Sequence, residues 1–137
     1  MVRPINRNIL SLGVKSPPAT KAALTVGDAL MATLMANIDG CVGMAANMIG
    51  VCKAIIVFFD GDNCMTMLNP EILRAEGAYE TEEGCLSLLG APRKTQRFRK
   101  IKVRFQTERF QTRIKTFEGF SAQIIQHEID HIHGILI

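Results

Sequence analysis

No C-x-x-C pair occurs in the 137 residues, and the four cysteines, Cys41, Cys52, Cys64 and Cys85, lie at irregular spacing. That excludes the disulfide framework of a short secreted scaffold and suits a reducing cytoplasm better. No apolar run approaches the length needed to span a bilayer, so no membrane partner is expected. The amino terminus carries Arg3 and Arg7 but no uninterrupted apolar core, being broken by Pro4, Asn6 and Asn8, and no secretory leader is expected. Net charge is scarce as well. At +3 it is too small to indicate a specific nucleic-acid partner.

What is present is 47% hydrophobic and 21% charged residues, the balance of a globular chain that buries a core without disulfides. The length fits one domain over residues 1–137. Its most informative stretch is Gln126-His127-Glu128-Ile129-Asp130-His131. On a helix, the four-residue step from His127 to His131 stacks two imidazoles one turn apart, within reach of a single metal ion. Glu128 stands beside them as a carboxylate able to take a proton from activated water. Catalytic sites of this kind use three protein ligands, and too little chain follows His131 to supply the third from well downstream. His133 falls off the shared helical face, so the third donor has to come from upstream, and Cys85 is the best candidate. Taken alone, Cys85 would read as a small buried hydrophobe.

Along the chain, residues 1–22, with Pro17-Pro18, read as an extended lead-in. Thr25 is a plausible N-cap for an amphipathic helix whose inner positions are Val26, Leu30, Met31, Leu34, Met35 and Ile38, with Asp39-Gly40 ending it. The small residues from Cys41 to Gly50 allow the backbone to approach a ligand or another strand closely, or else make a tightly packed turn. Residues 54–59 and 65–68 form two antiparallel strands around an Asp60–Asn63 turn and run into Asn69-Pro70. The segment from Ala75 to Glu83 is acidic. Arg93 to Arg104 is basic and leads into a half-buried strand with Ile101, Val103 and Phe105 inward and the charges solvated; Thr112 to Phe117 is its partner. The last helix runs from Phe120 or Ser121 to His133, with Ala122, Ile125, Ile129 and Ile132 as its apolar stripe and Gly134 as terminator.

With Glu83-Gly84-Cys85-Leu86-Ser87 and Gln126 to His131 both in view, the chain resembles the peptide deformylases, whose motifs are G-x-G-x-A-A-x-Q, E-G-C-L-S and Q-H-E-x-D-H. Leu68-Asn69-Pro70-Glu71 fits as well, and the similarity runs from about residue 24 to the end. The resemblance implies an α+β fold, with antiparallel sheets around a C-terminal metal-binding helix and an N-terminal amphipathic helix. It implies Fe2+, or Zn2+ or Ni2+ in its place, held by Cys85, His127 and His131. It further implies a bacterial, cytoplasmic enzyme that removes formate from the N-terminal methionine of nascent chains, in transient contact with the ribosome. Glu128 would shuttle the proton, the Leu86 backbone amide would help hold the oxyanion, and Gly43, Met48, Glu83 and Gly84 would line the substrate pocket. Gln126 and Asp130 would support the ligands from behind.

The first motif departs from that pattern, with Cys41 at its first glycine and Met48 at its glutamine. In the family the glutamine donates a hydrogen bond to the formyl oxygen as it becomes an oxyanion; methionine has no donor. Weak deformylation is therefore expected. The alternatives are a catalytically impaired, metal-binding regulator, or a hydrolase of another N-acyl group.

Overall fold

The computed structural model describes residues 2–85, 88–135 and 137, without the side chains of Ala22 and residues 88–91. Five antiparallel strands follow one another in the order β1 (Gly43–Ala45), β2 (Ile55–Asp60), β3 (Asn63–Cys85), β4 (Leu88–Gln106) and β5 (Thr112–Glu118). The Asp60–Asn63 turn forms as read, pairing Asp60 with Asn63.

β2 is the apolar run, and its successive side chains alternate between two cores. Ile56 and Phe58 join Met67, Ile101, Val103, Phe105 and Phe117 on one face, where α3 (Gly119–Ile132) presses Ala122, Ile125, Ile129 and Ile132 against them. Ile55 and Val57 join Leu68, Met44 and Met48 on the other face, against Leu30 and Leu34 of α2 (Leu24–Ala36). The sheet is thus sandwiched between the two longer helices. Each fully buried isoleucine or leucine contributes about 1.5–3 kcal/mol to that arrangement.

β3 differs from expectation. Asn69-Pro70 does not end it; the strand continues to Cys85 and, with β4, makes a long ribbon. The ladder skips at Leu68/Glu71, which lets the proline sit where no ladder hydrogen bond is needed. Asn69 adopts φ 52 there. Its side chain accepts from the Ala19 amide and donates to Ala19 O and Gln106 Oε1. Charge complementarity supports the ribbon, because Glu71, Glu76, Glu82 and Glu83 lie opposite Arg104, Lys100, Lys94 and Arg93.

The N-terminal third needs three corrections. Residues 1–22 are not wholly extended: α1 (Ile9–Leu12) forms under an Asn8 side-chain cap, and a 3-10 turn spans Lys21–Ala23. Thr25 is not the cap of α2. The 3-10 turn feeds the helix directly, with the Leu24 amide on Lys21 O and Ala23 at the cap. The helix closes at Ala36, with Asn37 donating to Leu34 O and Thr33 O, so Met35 and Ile38 are exposed rather than inward. At the other end Gly134 terminates α3 as read, at φ 77, and a Cβ there would lie 2.7 Å from Gly13 O. Only glycine allows the lead-in to pass that close. Among the described residues, no helix is long and apolar enough to cross a membrane.

Candidate metal centre

α3 turns its isoleucines to the sheet and thereby brings His127 and His131, on the neighbouring strip, to the end of β3. Their Nε2 atoms face each other at 3.1 Å. With Cys85 they offer three ligand atoms, all within 4.8 Å of one another. Two imidazole lone pairs repel at that separation, so the pair needs a proton or a cation between them. Without metal the proton goes to His127. Burial would lower its pKa, but hydrogen bonds to Cys85 and Glu83 and the surrounding carboxylates raise it to about 10. His131 falls to about 3, through burial first and then the charges of His127 and Arg97. A divalent cation bound by the thiolate and both neutral imidazoles would take that proton's place.

The ligands are held from behind. Glu83 Oε1 lies 2.7 Å from His127 Nδ1, fixing the ring so that Nε2 points at the other ligands. Arg97 grips Glu83 through Nε and Nη2 and reaches Asp130 Oδ2 through Nη1 at 2.6 Å, while Gln123 Nε2 donates to Glu83 Oε2. Burial alone would raise the Glu83 pKa, but its bonds to His127, Arg97 and Gln123 bring it down to about 2. Gln126 accepts from the Phe98 amide and donates to Phe98 O, so its side chain pairs with β4 as another strand would.

Glu128 is buried at 3% exposure, and its Oε1 has no hydrogen-bond partner among the described residues. Burial, chiefly, raises its pKa to about 7, which favours a group that must both take and release a proton. Gly43 passes directly over it. A Cβ at Gly43 would lie 2.6 Å from Ile124 Cγ2 and 3.0 Å from Glu128 Oε2. The close approach read from the small residues of 41–50 is therefore an approach of backbone to the candidate base.

Residues 11–137 match the family described as polypeptide deformylase. The chain belongs to the polypeptide deformylase family. It is 53% identical over 137 residues to the peptide deformylase of Clostridium beijerinckii, covering 100% of both chains. It superposes on the class I type b peptide deformylase from Acinetobacter baumannii with a TM-score of 0.89 at 31% identity, covering 99% of this chain and 97% of that one. A Met-Ala-Ser-bound structure of the Acinetobacter baumannii protein gives 0.87 at 30% identity, covering 99% and 96%. As a deformylase, the chain is a hydrolase acting on an N-formyl amide.

Two residues of the candidate site, Arg97 and Gln123, are not among those expected from the sequence; Gln123 lies on the cavity wall and donates to Glu83 Oε2. Arg97 was placed on a solvated basic face, yet it is 4% exposed and joins Glu83 to Asp130. Strand parity carried the signal, since counting in twos from Phe105 through Val103 and Ile101 leads to Arg99 and Arg97 on the inward side. Arg99 stays exposed, over the Tyr79 ring, where the ribbon leaves the core. Gly43, Met48, Glu83 and Gly84 all line one cavity of about 480 Å3 with Cys85, His127 and Glu128. Glu83 does more than line it, because its carboxylate faces His127. Met48 is buried, with Sδ 3.4 Å from the Ala45 amide. Leu86, expected to lend its amide, lies outside the described residues.

Proposed function

We propose that this deformylase, acting as one domain over residues 1–137, removes the formyl group from the N-terminal methionine of nascent polypeptides, and does so slowly. The observation that carries the reading is the pairing of a complete ligand set with a methionine, Met48, on the cavity wall. A related structure holding Met-Ala-Ser, the peptide left when such a substrate loses formate, supports the substrate class. Cys85, His127 and His131 would hold Fe2+, with Zn2+ or Ni2+ as substitutes, since one thiolate with two imidazoles accepts any of them. Bound there, the cation supplies a Lewis acid that polarises the formyl carbonyl and makes water a better nucleophile. Glu128 takes the proton from that water and delivers it to the departing amine. Glu83, itself held by Arg97 and Gln123, keeps the His127 ring aligned, and Asp130 keeps Arg97 in place. Cytoplasmic work on chains leaving a bacterial ribosome, in transient contact with it, belongs to the same reading.

Steady-state assay of formyl-Met-Ala-Ser by the iron-loaded protein, beside Met48→Gln, tests it. The parent is expected to turn over and the variant to be faster. If both are inert while metal is bound, the chain is a metal-binding regulator with a deformylase fold. If the parent prefers another N-acyl peptide, Met48 has altered the substrate instead.

A further inference from the structure

Among the described residues, β1 is the end strand of the sheet and pairs only with β2. The Phe59 amide donates to Val42 O, so the alternation of an antiparallel ladder turns the N–H and C=O groups of Gly43 and Ala45 the other way. A free edge of this sort pairs with extended peptide. Here two of its groups are already engaged by the chain's own sulfur atoms. Cys41 Sγ donates to Gly43 O at 2.9 Å, and Met48 Sδ accepts from the Ala45 amide. Both sulfur side chains line the cavity, and both stand where the chain departs from the family motif.

We propose that Cys41 is a specificity-determining residue: its thiol occupies the Gly43 carbonyl and has to be displaced before a peptide substrate can pair with that edge. The inference rests on the deformylation reading above and deepens it. Position makes the carbonyl matter, because Gly43 backbone packs against Glu128, next to the reacting end of the substrate. A thiol is a weak donor, so it yields to a peptide amide at a modest cost. Substrates that fill the cavity with side chains lose less from this competition than substrates held mainly by their backbone.

Calorimetric titration of the metal-loaded protein with Met-Ala-Ser, together with kinetics on formyl-Met-Ala-Ser, tests this across Cys41→Ala, Cys41→Gly and Cys41→Ser. The first two remove the donor; the third keeps one. Ala and Gly are expected to bind Met-Ala-Ser about two- to tenfold tighter, the worth of one neutral hydrogen bond, and to lower KM by the same factor with kcat nearly unchanged. Ser, whose hydroxyl is a stronger donor than the thiol, is expected to bind no more tightly than the parent. The inference is overturned if neither Ala nor Gly tightens binding, or if Ser follows them, which would make side-chain volume the cause. Should no variant turn over the formyl peptide while Ala or Gly still binds Met-Ala-Ser more tightly, the deformylase reading fails and the role of Cys41 stands. Turnover with Kd and KM unmoved sinks the role of Cys41 alone.

Discussion

Across one cavity, two walls face each other in different states. On the α3 side, His127 is fixed by Glu83, Glu83 by Arg97 and Gln123, Arg97 by Asp130, and Gln126 by the β4 backbone. On the β1 side, Gly43 O and the Ala45 amide, proposed above to lie on the substrate edge, are met by Cys41 and Met48. The contrast teaches that the proposed metal site and the proposed oxyanion site rest on different bonds: the walls meet through Asn47, whose Nδ2 donates to His131 O, and not through the side chains just named.

The largest expected effect sharpens that contrast from the metal side. Cys85→Ala or His131→Ala should lose stoichiometric metal by elemental analysis and lose measurable deformylation with it. Glu128→Gln should keep the metal and drop kcat by about a hundred- to ten-thousandfold, separating binding of the ion from movement of the proton. On the β1 side, Met48→Gln should raise kcat at least about tenfold, since one oxyanion donor is typically worth about a hundred- to a thousandfold. An unchanged rate there would mean that Met48 does not limit turnover. Arg97→Ala strips a buried carboxylate of its partner. It should weaken metal affinity about 10- to 100-fold and cost about 3–5 kcal/mol in chemical denaturation. At the bottom of the scale, Lys100→Ala on the outer ribbon, where its contacts to Glu76 and Glu118 are exposed, should shift stability by about 1 kcal/mol or less.

The same two walls were unequally legible in the sequence. The α3 wall could be read because a helix has a fixed period: two histidines four apart must share a face, and Ala122, Ile125, Ile129 and Ile132 are buried as that period requires. Cys85 followed from the shortage of other donors. Arg97 was hidden because its charge suggested solvent while its strand parity suggested the interior, and parity wins where Glu83 and Asp130 supply partners. Local signals failed where distant residues decide the outcome. Asn69-Pro70 looks like a stop, but Asn69 is held by Ala19 and Gln106, 50 and 37 positions away. Thr25 looks like a cap, but the preceding 3-10 turn feeds straight into the helix and already takes up the Leu24 amide. On the β1 wall the departures at Cys41 and Met48 were visible as letters, while the bonds their sulfurs make depend on how β1 lies along β2.

The Glu83–His127 contact joins positions 44 apart, and Arg97 ties together residues 14 and 33 positions away. Arg97 can meet Glu83 once the β3–β4 ribbon closes, but the links to His127 and Asp130 wait until α3 has docked on it, which requires segments distant in the chain to be brought together. During folding the chain therefore exposes a thiol and two imidazoles that are not yet a site. Binding of one ion by all three candidate ligands is accordingly expected only once α3 has docked.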